Sequence, residues 1–201
     1  MSVFLEARKR KETDRKETRP VITIDAIFAL YANEGLQAYR GERVSQLEHA
    51  LQCAFNAEQD GAPATLITAA LLHDYGHYVH DMDASELIRG VHDRHDAIGA
   101  TALSDAFVDA VTAPVRLHIE AKRYLCAIDA GYLARLSAGS TFSLRVQGGA
   151  HTPQEASAFA ETPFSSEAVC VRRWDDMAKQ PGLKTPDLEH FRPYLSASLK
   201  G

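Results

Sequence analysis

Six residues of this 201-residue chain have the types and spacing to build a reactive metal centre: His49, His73, Asp74, His95, His118 and Asp175. His73 follows His49 by 24 residues, His95 follows by 22 more, His118 by 23 and Asp175 by 57. The adjacent pair His73-Asp74 is the most telling. It ends the apolar stretch Leu66-Ile67-Thr68-Ala69-Ala70-Leu71-Leu72, so an imidazole and a carboxylate are expected at the end of a buried helix. Such groups are costly to desolvate unless a charge or a hydrogen bond meets them. A metal ion resolves that cost, and a carboxylate with two oxygens can bridge two ions. Four imidazoles and two carboxylates cannot saturate two ions, which leaves positions for water, oxygen or substrate. Imidazole and hard oxygen donors without a thiolate suit iron better than structural zinc. A lone histidine is usually a satisfied core or surface residue, and His80, His92, His151 and His190 lack a context that recruits a metal.

The elements that position these residues read as helices. Ile22, Ile24, Ile27, Phe28, Leu30 and Tyr31 predict a helix to about Asn33, followed by a loop from Gly35 to Arg43. Ser45-x-x-Glu48 is a capping-box pattern opening a helix with His49 and Cys53 on its inward side. Pro63 starts the helix that carries His73-Asp74, and Gly76 weakens its end. Residues 84–92 read as irregular, and a further helix runs from near Asp93 to about Ser104. Residues 105–127 are apolar at helical spacing, with Pro114 predicting two segments or a kink. A short helix over 129–137 precedes a Ser- and Gly-rich loop at 139–150. Thr152-Pro153-x-Glu155 caps the next helix; others cover 165–179 and, broken near Pro193, the C-terminal part. Only Ser143-Leu144-Arg145-Val146 alternates like a strand. The expectation is an all-α, single-domain helical bundle over 21–201.

Residues 6–19 carry seven basic and four acidic side chains with one alanine and no other apolar residue. They read as a charged N-terminal arm over 1–20. Hydrophobic content of 45% and charged content of 24% fit one globular domain able to bury a core. A net charge of -5 disfavours a nucleic-acid partner. No apolar run reaches membrane-spanning length and no signal-peptide pattern opens the chain. Cys53, Cys126 and Cys170 form no C-x-x-C pair, and reduced thiols in a cytoplasmic protein are expected.

His49 … His73-Asp74 … Asp175 resembles the signature of the HD-domain superfamily, with His95 and His118 resembling its dinuclear branch. Four blocks narrow the likeness: Gln46-Leu47-Glu48-His49-Ala50-Leu51-Gln52-Cys53-Ala54, Leu71-Leu72-His73-Asp74-Tyr75-Gly76-His77-Tyr78, His118-Ile119-Glu120-Ala121-Lys122-Arg123-Tyr124-Leu125 and Arg172-Arg173-Trp174-Asp175-Asp176. They resemble the mixed-valent di-iron oxygenases of organophosphonate catabolism (the PhnZ/TmpB type), relatives of myo-inositol oxygenase. The likeness spans roughly Tyr39 to Lys179.

That resemblance implies two iron ions, Fe(II)/Fe(III), with His49, His73 and Asp175 holding one, His95 and His118 the other, and Asp74 bridging. It implies a lid of Tyr39 and Glu42, the tyrosine ligating the second iron until substrate displaces it. It implies a phosphonate held by His77, Lys122, Ser140, Ser143 and Arg172. The implied reaction is O2-dependent cleavage of the C–P bond of a 1-hydroxy-2-aminoethylphosphonate, free or N-methylated, to phosphate and glycine or an N-methylated glycine. Lys122 stands four residues after His118, and His77 four after His73, so each shares a face with a ligand where the helix persists. A carboxylate would serve a primary ammonium, an aromatic cage a trimethylammonium; Tyr31, Tyr75 and Tyr78 are the available aromatics. The alternative is an HD-domain phosphohydrolase acting on a nucleotide or phosphomonoester. A binding module that keeps the metal as a clip is a further alternative.

Overall fold

The computed structural model describes residues 22–39, 42–79 and 94–201. The charged arm, the stretch read as irregular, His80 and His92 lie outside the described residues. Among the described residues every regular element is a helix, and pairing of strand type is limited to the isolated bridges Ala38–Ser45 and Phe107–Leu199. In chain order the helices are α1 (Ile24–Glu34), α2 (Gln46–Gln59), α3 (Ala64–Leu72), α4 (Gly76–Val79), α5 (His95–Leu103), α6 (Asp109–Ile128), α7 (Tyr132–Arg135), α8 (Ala138–Val146), α9 (Pro153–Ala160), α10 (Ser165–Met177) and α11 (Leu188–Ala197). No helix among the described residues is long and apolar enough to cross a membrane.

Helix α3 is the spine of the core. Every residue from Leu66 to Leu72 is buried, and α2, α6, α10 and α11 pack around it. A helix apolar on all sides needs such a jacket, because it has no face to give to water. The buried Tyr31 hydroxyl donates to the Leu71 carbonyl (2.9 Å), which fastens α1 to the end of the spine. Both capping boxes form: Ser45 with Glu48 opens α2, and Thr152 with Glu155 opens α9.

Four local expectations change. The regular part of α3 stops at Leu72, and His73 to Tyr75 form a turn before α4. His77 is therefore tied to Asp74 through a backbone bond to its carbonyl (2.9 Å) rather than to His73 along one helix. Helix α6 is one element through Pro114 rather than two segments, and α11 runs unbroken through Pro193. Both prolines lie in helices clamped against the core, and tertiary packing outweighs the lost backbone bond. The Ser- and Gly-rich segment expected as a loop is largely helix α8. Ser137 caps it by accepting from the Ser140 amide (3.1 Å), while Leu144 and Ser140 are buried. The alternation at 143–146 belongs to this helix, and only Gly148 and Gly149 take left-handed φ, at +100° and +78°.

One glycine contact sets the site. A methyl group at Gly76 would collide with the backbone carbonyl of His95, and one at Gly99 would lie 2.7 Å from the Gly76 nitrogen. Glycine at both positions lets α4 and α5 touch backbone to backbone, which draws His95 up to Asp74. Gly76→Ala is expected to cost about 2–3 kcal/mol in denaturant unfolding through overpacking. Gly61→Ala, at φ +69° but with open space around it, should cost only about 1 kcal/mol. Equal losses in the two variants would contradict the close-contact account.

Candidate metal centre

Asp74 stands where the spine ends, and four imidazoles converge on it from four directions. His49 comes from α2, His73 from the turn after α3, His95 from the first turn of α5 and His118 from the middle of α6. All are buried, with exposures from 0% to 5%. They form two facing pairs. The Nε2 atoms of His49 and His73 are 3.2 Å apart, and those of His95 and His118 are 3.1 Å apart.

In three of these rings the other nitrogen faces a backbone carbonyl: His49 Nδ1 to Ala178 (2.7 Å), His73 Nδ1 to Ala70 (2.8 Å) and His118 Nδ1 to Val115 (2.7 Å). A carbonyl only accepts, so each Nδ1 carries the proton and donates. The Nε2 lone pairs are left pointing inward. Facing lone pairs repel unless a cation or a proton lies between them, and carbonyl-anchored imidazoles with inward Nε2 are the usual support of a metal ion.

The two oxygens of Asp74 divide between the pairs. Oδ2 lies 3.4 Å from His73 Nε2 and 3.8 Å from His49 Nε2. Oδ1 lies 3.3 Å from His95 Nε2 and 3.7 Å from His118 Nε2. Asp175, on α10, adds Oδ1 at 3.4 Å from His49 Nε2. Asp74 Oδ2 and Asp175 Oδ1 are buried without a hydrogen-bond partner among the described residues. His49, His73 and Asp74 form one group able to hold an ion, and Asp74, His95 and His118 another. This is the donor set of a dinuclear site with one shared carboxylate.

Electrostatics point the same way. Burial lowers His49 to about 4 against the pull of Asp175, and burial with neighbouring His95 lowers His118 to about 3. Both are neutral at pH 7, the state a metal requires. Burial opposes the charged form of His73 too, but Asp74 more than reverses it and pushes that imidazole up. Burial works against Asp74 as an anion, yet His73 and His77 hold it well below the usual carboxylate range. Asp175 is held low against burial by Arg172 and Lys179. Both carboxylates are held as anions beside the imidazoles.

A cleft opens on one side of this centre. His95, His118, Asp74 and Asp175 line it, whereas His49 and His73 do not, so access is to the second group. Tyr39, Glu42, His77, Lys122, Ser140, Ser143, Gln147 and Arg172 complete most of the wall. The Tyr39 ring stacks on His49 at 3.9 Å and 14°, and the His77 ring lies 3.9 Å from that of His95. Lys122 is 2% exposed and donates to Ser143 Oγ (2.9 Å). Burial, aided by Arg172, pulls its ammonium down to about 7, a cost that an anion beside it would relieve. The residues expected as metal ligands, lid and phosphonate contacts all stand at this centre or its cleft. Tyr31, Tyr75 and Tyr78 do not line it; Tyr31 and Tyr78 pack on each other with centroids 4.8 Å apart.

Sequence reasoning missed three side chains that tie the centre to the cleft. The buried guanidinium of Arg172 donates from Nη1 to Asp175 Oδ2 (2.6 Å) and from Nε to Tyr132 Oη (3.1 Å), and its Nη2 pairs with Asp176. Tyr132 in turn donates to Asp176. Lys179 Nζ donates to Ser140 Oγ (3.1 Å) and stands 3.4 Å from Asp175 Oδ1. The four-residue step from Asp175 to Lys179 was a readable signal; the Tyr132 contact, across 44 residues to Asp176, was not. Among the histidines set aside, His151 meets Glu120 (2.7 Å) and His190 meets Glu58 (2.7 Å), away from the centre.

Comparison with known proteins agrees with this architecture. The chain matches the HD domain over residues 43–179. It is 42% identical to a hydroxymethylphosphonate dioxygenase of Gimesia maris, covering 88% of each chain. It is 37% identical to the glycine-betaine-forming [1-hydroxy-2-(trimethylamino)ethyl]phosphonate dioxygenase of Leisingera caerulea, covering 86% of this chain and 88% of that one. With the histidine–aspartate centre inside the matched span, the protein belongs to the HD-domain family.

Proposed function

We propose that the protein is a phosphonate dioxygenase that cleaves the C–P bond of a compact, unmethylated 1-hydroxyphosphonate, with two irons as its metals. The observation that carries this reading is the junction of two features in one cleft. A carboxylate-bridged imidazole centre lies at its floor, and buried cations line its wall. The two dioxygenase relatives support the same chemistry.

When bound, the iron pair supplies Lewis acidity and the electrons that activate O2. The chain's own groups do the rest. Lys122, Arg172 and His77 offer charged or polar N–H donors to a phosphonate, and Ser140 and Ser143 add hydroxyls. Arg172 is braced by Asp175 and Asp176, so its fork cannot swing away from the ligand. Capture at this wall sets C1 and its hydroxyl over the group formed by Asp74, His95 and His118. Cleavage then delivers phosphorus as orthophosphate and C1 as a carboxylate, the two atoms of O2 entering the two products.

Free space within the cleft is about 30 Å³, and its mouth is open to solvent. Tyr39 and Glu42 bring the segment between α1 and α2 to the wall of the cleft. Glu42 suits a primary ammonium. Besides the histidines, Tyr39 is the only aromatic lining the cleft among the described residues, too little for a trimethylammonium cage.

Two outcomes are expected. Iron-loaded protein should release phosphate from hydroxymethylphosphonate or 1-hydroxy-2-aminoethylphosphonate in air and not under argon, with the N-trimethyl analogue at least about tenfold poorer in kcat/KM. Release under argon with Mn or Mg would instead mark a phosphohydrolase. Asp74→Ala should lose most of both irons, read by metal analysis after anaerobic loading. Two irons retained in that variant would contradict the bridge.

A further inference from the structure

Five buried side-chain atoms lack a hydrogen-bond partner among the described residues: Asp74 Oδ2, Asp175 Oδ1, Gln147 Oε1, Tyr78 Oη and His151 Nδ1. The first three belong to residues that line one cleft. A native protein rarely leaves a buried acceptor unpaired, since the loss costs about 1–3 kcal/mol. At Asp74 and Asp175 the metals answer for it. At Gln147 nothing described so far does.

Gln147 is 8% exposed and ends helix α8, its backbone amide bonded to the Ser143 carbonyl (2.9 Å). Ser140, Ser143 and Gln147 are three and four residues apart, so they share a face of that helix, and all three line the cleft. The serine hydroxyls are engaged by cations: Ser143 by Lys122, and Ser140 by Lys179 and Arg172. The amide oxygen one turn further on has no such partner. A fully ionised phosphonate brings only acceptors and would repel it. An O–H or N–H donor on the carbon side of the ligand would satisfy it.

We infer that Gln147 is a specificity-determining residue whose amide oxygen accepts a hydrogen bond from a donor, hydroxyl or ammonium, on the organic part of the bound phosphonate. This assignment rests on the phosphonate reading above. It gives the cleft a means of distinguishing a substituted phosphonate from a bare one, which the cationic wall alone cannot do. A neutral amide achieves this without weakening the field that attracts the anion.

The test is calorimetric binding under argon to the metal-loaded full chain, at a pH where the phosphonate is fully ionised. Four probes are used: methylphosphonate with no donor, hydroxymethylphosphonate with O–H only, 2-aminoethylphosphonate with N–H only, and 1-hydroxy-2-aminoethylphosphonate with both. In Gln147→Leu, methylphosphonate should bind within about twofold of wild type, while at least one single-donor probe weakens about tenfold. Whichever of the hydroxymethyl and aminoethyl probes weakens names the donor. Melting temperature and metal content should not change; Gln147→Met, which keeps the side-chain length, replaces the leucine variant if that one unfolds. Equal weakening of all four ligands, or of none, overturns the assignment. Wild-type protein that binds none of the four removes the phosphonate reading itself, and this inference with it.

Discussion

Everything in this molecule is arranged around one carboxylate placed between two facing pairs of imidazoles. Asp74 directs Oδ2 to His49 and His73 and Oδ1 to His95 and His118. Without positive charge in the gaps, the arrangement would set lone pair against lone pair around a buried carboxylate, which a folded chain does not sustain cheaply. The fold makes the site durable rather than tolerant. Carbonyls from three elements fix the imidazole tautomers, and the apolar α3 spine holds the turn that carries the bridge.

The same constraint gives the centre two unlike halves. His49, under the stacked Tyr39 ring, and His73 do not reach the cleft, whereas His95 and His118 face it. Asp175 connects the histidine centre to the cationic side of the cleft, because it faces His49 on one side and Arg172 on the other. Charge on the metal side is therefore felt directly by the arginine. Asp176 and Tyr132 then hold that arginine in register. Asp175, beside the histidine centre, and Arg172, on the cleft wall, both stand in the last turns of α10.

Much of this was legible in the sequence because the residues concerned obey strong local rules. His73-Asp74 after seven core residues announces a buried, charged helix end, and the capping boxes at Ser45 and Thr152 announce helix starts. Helix α8 was not legible: its serines and glycines favour loops, and what keeps it helical is a cap plus hydroxyls bonded to lysine and arginine distant in sequence. Pro193, expected to break the last helix, misled for a related reason, since packing decides where propensity objects. The Gly76–Gly99 contact carries no periodic signal at all, yet it determines whether His95 reaches Asp74. Long-range pairing is what spacing cannot convey.

The most direct measurement is anomalous scattering at the iron edge from crystals of protein loaded with Fe(II) under argon. Two peaks within about 4 Å of each other are predicted, joined by Asp74, one bound by His49, His73 and Asp175 and the other by His95 and His118. A single peak, or two that share no Asp74 oxygen, would contradict the account.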